Sequence, residues 1–126
     1  MNDCPRDAAI RVLMMPRDTN YHGTIFGGVI LSHIDQAGAV AAIGYGCPQV
    51  TTVAMDKVEF HQPVRVGELV SFYTEVERVG NTSITIKVSV EAIQRDSREA
   101  VSVTSAMVTF VNVDKNGKKI PVPRAD

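Results

Sequence analysis

The sequence predicts an α+β fold in which one long helix is buried against a largely antiparallel sheet. Three observations carry this prediction. There is a single helical stretch, rich in Ala and Gly, over residues 28 to about 43. Four long β-rich segments follow or flank it with an apolar run at the start of the chain, and turn formers join most of them as hairpins. With 126 residues, 44% hydrophobic and 21% charged, the chain has the size and balance of one globular domain, read as residues 1–126.

The first strand is predicted over residues 8–15, an apolar run broken only by Arg11 and ended by Pro16. Residues 16–24 are turn formers at nearly every position, and Gly27-Gly28 then opens the helix. Ile30, Ile34, Ala37 and Ala41 recur at helical spacing, with Gly44 and Gly46 as stop signals. The second half of this helix is small and apolar all round, which predicts burial on every side.

Beyond Cys47-Pro48 the period changes to that of strands. Residues 50–60 are β-rich with imperfect alternation, residues 61–68 turn the chain, and another strand is predicted over residues 69–79. Gly80-Asn81-Thr82 signals a hairpin turn. Ile84, Ile86, Val88 and Val90 then alternate with Thr85, Lys87, Ser89 and Glu91, which predicts a strand with one buried face. A charged loop at 95–99 precedes a last long strand over 100–113, and Asp114-Lys115-Asn116-Gly117 turns into a tail with Pro121 and Pro123. The order is β-α-β-β-β-β. Three Tyr, four Phe and no Trp are few for a core that must also cover a sheet face, so a homo-oligomer, at least a dimer, is expected.

Composition excludes several function classes. Thirteen Lys and Arg against fourteen Asp and Glu give a net charge of −1, without the basic field that nucleic acid requires. Cys4 and Cys47 stand apart from any Cys/His cluster, as in a reduced cytosolic protein. The first seven residues lack the basic segment and apolar run of a signal peptide, and the most apolar stretch, residues 27–45, is interrupted by Ser32, His33, Asp35 and Gln36. A cytoplasmic location without membrane insertion is therefore expected. His22, His33 and His61 have no metal-ligand spacing, and no nucleophile-elbow serine is present.

The chemistry-bearing residues concentrate at the helix. Asp35 lies about two turns into an otherwise apolar segment, where a carboxylate is costly unless paired or used, and poorly hydrated surroundings suit a general base. It could equally sit on a wet stripe with Ser32 and Gln36, and periodicity alone does not separate the two readings. Gly27-Gly28 stands where the unpaired N–H groups and positive dipole end of the helix favour an oxyanion, although two glycines also serve a tight turn. Asn20, in the preceding loop, has an amide that can bind a ligand or stabilise the turn. At about 1.5 Å per residue, Asp35 is roughly 10–12 Å along the axis from Gly27-Gly28. One carbonyl reaches both more easily when the helix tip of one protomer meets Asp35 of its partner, which favours a site at a dimer interface.

The run Met15-Pro16-Arg17-Asp18-Thr19-Asn20-Tyr21-His22-Gly23-Thr24-Ile25-Phe26-Gly27-Gly28, followed seven positions later by Asp35, closely resembles the hotdog-fold acyl-CoA thioesterases, in particular the YciA-like cytosolic acyl-CoA hydrolases. Their pattern is Asn-x-x-Gly-x-x-(Phe/His)-Gly-Gly and then an acidic residue. The resemblance continues through residues 53–60, 63–68, 79–84 and 110–114, nearly the whole chain. It implies a hotdog fold, with a five-stranded antiparallel sheet wrapped around the helix, and hydrolysis of acyl-CoA to a free acid and coenzyme A. Asp35 would then be the base that activates water, or the nucleophile that forms an anhydride. Asn20 would position water or thioester, and N–H groups at Gly27-Gly28 would polarise the carbonyl. Phe26, Arg65, Arg78, Gly80, Asn81, Thr82, Ser83 and Lys87 are the implied substrate contacts, with Lys118-Lys119 as further basic candidates for the phosphates of coenzyme A. No metal or cofactor is implied, because coenzyme A belongs to substrate and product, and assembly as a dimer or a trimer of dimers is expected. The alternative that hotdog proteins allow is a non-catalytic acyl-CoA sensor.

Overall fold

The structure is a computed structural model that describes residues 7–123; Cys4 lies outside them. The elements run β1 (Ile10–Leu13), a single 3-10 turn (Pro16–Asp18), α1 (Gly27–Tyr45), β2 (Val50–Phe60), β3 (Leu69–Val79), β4 (Ser83–Ile93) and β5 (Ala100–Asn112). All five strands form one antiparallel sheet in the order β1-β3-β4-β5-β2.

β4 follows its alternating sequence. Ile84, Ile86, Val88 and Val90 are fully buried, while Lys87, between Glu75 and Met107 on the neighbouring strands, belongs to the opposite face. The helix packs on the buried face through Ile30, Ile34, Ala37, Gly38 and Ala42. A Cβ on Gly38 would lie 2.8 Å from the Phe110 ring, so the residue that lets α1 approach β5 has no side chain.

Three features depart from the sequence reading. α1 is not buried on every side: Val40 and Ile43 are 46% and 53% exposed, because a single sheet covers one face of a helix and leaves the other open. β1 is shorter than the apolar run that predicts it. The Met15 N–H donates to Asp18 Oδ2 at 2.9 Å, which turns the chain into the 3-10 segment, yet Met14 remains fully buried. The imperfect alternation of β2 comes from two register shifts, Thr52/Ala54 and Asp56/Glu59. Lys57, inside the second, has a left-handed φ of 53°, as bulges often require.

The C-terminal segment closes the far end of the helix. Gly46 ends α1 with φ 133° and an N–H directed at the Ala42 and Ile43 carbonyls. Val122 is buried and donates its N–H to Asn81 O, and Asn112 Nδ2 donates to Pro121 O at 3.0 Å. Cys47 follows the helix end fully buried, and burial pushes its thiol pKa up, away from the thiolate that a nucleophile needs.

Candidate active site

The loop before the helix is held by Asn20. Its Oδ1 accepts the His22 N–H at 2.9 Å and the Thr24 N–H at 3.2 Å, and its Nδ2 donates to Thr24 Oγ1 at 3.1 Å. The turn-stabilising role therefore holds, and it leaves one of the two amide N–H donors. The Phe26 N–H donates to Asp18 O at 2.8 Å, and its extended backbone starts α1 without any side-chain cap. The first-turn N–H groups at Gly27 and Gly28 thus have neither an intrahelical acceptor nor a capping oxygen. They carry the positive end of the helix dipole.

Two aromatic rings flank this tip. A Cβ built on Gly28 would lie 2.7 Å from the Phe26 ring, and one on Gly27 would lie 3.5 Å from Phe60. The Phe26 ring thus lies directly over Gly28, where the lack of a side chain leaves it room. Phe26 and Phe60 are 56% and 53% exposed, and β2 supplies the second ring from its C-terminal end.

Asp35 sits two turns further along, half-buried between the exposed Ser32 and Gln36 and the buried Ile34. Its Oδ1 accepts the hydroxyl of Thr52 at 2.6 Å. Thr52 faces α1 from β2, opposite Phe110 and beside the first register shift. The carboxylate therefore lies at the border of the two surroundings that periodicity left open, and it is oriented. Thr52 is the site residue that the sequence reading missed; it lies in an irregular strand, and no spacing links it to a helix seventeen residues earlier.

Beside the helix tip a pocket of about 310 Å³ opens between α1 and the segment after β2, lined by Ile25, Gly27, Ile30, Phe60, Pro63, Val64 and their neighbours. His61 and Gln62 stand at its exposed rim.

The other expected contacts are not gathered here. Arg65 is exposed in the turn before β3, where its N–H donates to the buried Glu68 carboxylate at 3.0 Å. Arg78 pairs with Thr85, and both Arg78 and Lys87 are exposed on the sheet face turned away from α1. Strand alternation puts Lys87 there, and the register shift between Val76 and Arg78 puts Arg78 there. Gly80, Asn81, Thr82 and Ser83 form the β3–β4 turn, where the Gly80 N–H donates to Ser83 O, Thr82 O accepts the Asn112 N–H and Asn81 O accepts that of Val122. Within one chain the helix tip is thus separated from Arg78 and Lys87 by the thickness of the sheet. Lys118 and Lys119 are exposed beyond β5.

Comparison with known proteins gives a consistent picture. The thioesterase superfamily matches residues 22–99. The chain is 42% identical over 118 residues to an uncharacterized acyl-CoA thioester hydrolase of Haemophilus influenzae, covering 91% of this chain and 77% of that one. It is 35% identical to the acyl-CoA thioester hydrolase YciA of Salmonella typhimurium over 127 residues, covering 98% and 96%. Among solved structures, a hexameric hotdog-fold thioesterase of Campylobacter jejuni superposes with a TM-score of 0.88 at 47% identity, covering 92% of this chain and 90% of its own. Sequence and architecture agree along almost the whole length, and the chain belongs to the thioesterase superfamily, among its hotdog-fold, YciA-like acyl-CoA thioester hydrolases.

Proposed function

We propose that the protein hydrolyses the thioester of acyl-CoA to a free carboxylic acid and coenzyme A, with Asp35 as general base. The observation that carries this reading is the oriented carboxylate. Thr52 holds Oδ1, which leaves Oδ2 to take a proton from water as the water oxygen attacks the thioester carbon. The oxyanion that forms is stabilised by N–H groups at Gly27 and Gly28, which no side chain caps. When the C–S bond breaks, the departing thiolate takes the proton from the Asp35 carboxyl, so atoms and charge balance without a cofactor. The remaining Asn20 amide N–H is available to the water or the thioester. Direct attack by Asp35 to form an anhydride is the other chemistry that the same position supports.

Asp35 and the tip of its own helix are separated by about 12 Å along the axis, and this supports a site completed by a second copy. The exposed face of α1, with Val40 and Ile43, and the unpaired edge of β2 offer apolar surface and backbone groups to a partner. Dimers, and trimers of such dimers, are the assembly this reading favours. Partner contacts would also determine which of Phe26, Arg65, Arg78, Lys87 and the turn at residues 80–83 reach the nucleotide. Among the described residues no helix is long and apolar enough to cross a membrane, and a cytoplasmic location fits the reading.

The test is release of free thiol from acyl-CoA by the purified protein and by Asp35→Ala, with oligomer mass measured by light scattering. Turnover by the unaltered protein and its loss in a folded, assembled Asp35→Ala variant support the mechanism. Full turnover in that variant removes Asp35 from it. Tight acyl-CoA binding without turnover in the unaltered protein would instead favour the sensor.

A further inference from the structure

β2 lies at the edge of the sheet, so β5 is the strand that positions Thr52. Before its first register shift β2 pairs through Val50–Asn112, Thr51–Val111 and Thr52–Phe110, and the seat of Thr52 is therefore set by the last residues of β5. β4 does not brace those residues, because its pairing with β5 starts at Ser83–Val111. Beyond Val111, apart from Thr82 O, which accepts the Asn112 N–H, the place beside β5 is taken by the chain's own tail. The Ile120 N–H donates to Asn112 O at 2.9 Å, Asn112 Nδ2 donates to Pro121 O at 3.0 Å, and Lys119 bridges to Val113. On its other side Val113 donates its N–H to Gln49 O at 3.0 Å. The tail and the start of β2 thus hold the same two residues from opposite sides.

Asn112 is a costly residue at this position. It is 1% exposed and alternates with buried Val108 and Phe110, so its amide enters the core under α1. Its Oδ1 has no hydrogen-bond partner among the described residues, a penalty that an apolar side chain of similar volume avoids. What the amide provides in return is the tie from Nδ2 to the tail. We propose that Asn112 is a positioning residue for the hydrolysis: by fastening the tail against the end of β5 it sets where β2 starts, and with it the reach of the Thr52 hydroxyl to Asp35. The inference rests on the thioesterase reading, and its path to the chemistry runs through the 2.6 Å bond from Thr52 to Asp35.

The experiment combines steady-state kinetics on acyl-CoA with amide hydrogen exchange read by mass spectrometry, for the unaltered protein, Asn112→Leu, Thr52→Val and the double variant. Leu is close to Asn in size but cannot donate to Pro121 O. Asn112→Leu should lower kcat by about two- to tenfold, the worth of one hydrogen bond, with KM held. Exchange should quicken over residues 49–53 and stay unchanged in β3. In the Thr52→Val background the same change should lower kcat no further, because the path runs through that hydroxyl. Where Asn112→Leu does not fold, Ile120→Pro takes its place: it removes the N–H that the tail gives to Asn112 O without altering a core side chain, and the same pattern is expected. Losses that multiply in the double variant, or a lower thermal midpoint with kcat per folded molecule retained, would make Asn112 a stability residue alone and overturn the proposal. If the unaltered protein hydrolyses no acyl-CoA, the thioesterase reading fails, and exchange then decides: the hold of the tail on β2 stands if residues 49–53 open faster in the variant and falls if they do not.

Discussion

β4 and β2 are both eleven residues long, stand one strand apart in the same sheet, and behave differently. β4 is paired on both sides and puts Ile84, Ile86, Val88 and Val90 under the helix without exposing any of them. β2 is paired on one side only, shifts register twice, and carries a left-handed lysine. Yet β2 holds the Thr52 hydroxyl against Asp35 and the Phe60 ring against the helix tip. Regular pairing supplies the platform; irregular pairing at the edge aims side chains at the site. Changes in β2 and the carboxylate that it orients should therefore act on rate, and changes in β4 on stability.

The largest separation is expected from Asp35→Asn, which keeps the shape of the side chain and removes the base. We expect kcat to fall by about 10²–10⁴ with the thermal midpoint hardly moved, measured by thiol release and circular dichroism. A loss of stability equal to the loss of rate would break the distinction. Ile86→Ala, in the middle of β4, should do the reverse. A cavity under α1 should cost about 2–5 kcal/mol in urea unfolding, with kcat per folded molecule retained.

Smaller effects sharpen the contrast within β2. Thr52→Val keeps the shape but removes a hydrogen bond to a charged group, and the carboxylate loses its orientation. Such bonds are worth about 1.5–3 kcal/mol, so kcat should drop tenfold or more while KM changes little, read from steady-state kinetics. Lys57→Gly relieves a left-handed backbone that costs an L residue about 1 kcal/mol, partly offset by the greater freedom of glycine in the unfolded chain. A gain of about 0.5 kcal/mol in urea unfolding is the expected result, and a loss would mean that the Lys57 side chain makes a contribution of its own.

The contrast also explains what could be read without coordinates. β2, β3 and β4 and the helix start are legible because each is bounded by turn formers and, in β4, because alternation is strict. The local geometry of Asn20, Phe26 and Gly27-Gly28 is legible because a loop and the helix that it enters are contiguous. The pairing of β2 with β5 is not, since no periodicity names a partner so far along the chain, and the Thr52–Asp35 bond depends on that pairing. Arg78 and Lys87 show the opposite limit. Their charge suggests phosphate, but alternation with the buried Ile86 and Val88 sends Lys87 to the far face of the sheet, and the register shift after Val76 sends Arg78 there too, where one chain alone cannot use them.

The edge position of β2 also bears on how the chain assembles as it is made. Val50 pairs with Asn112 and Phe60 with Thr104, so a strand that leaves the ribosome early has no neighbour until the final strand emerges. β3, β4 and β5 can zip as successive hairpins, and α1 can pack on β3 and β4 as they form, whereas β2 must wait for β5. Such long-range closure slows folding, and during the delay a bare strand is open to stray partners. Synthesis of the closing segment is therefore the step that ends the newborn chain's exposure to aggregation.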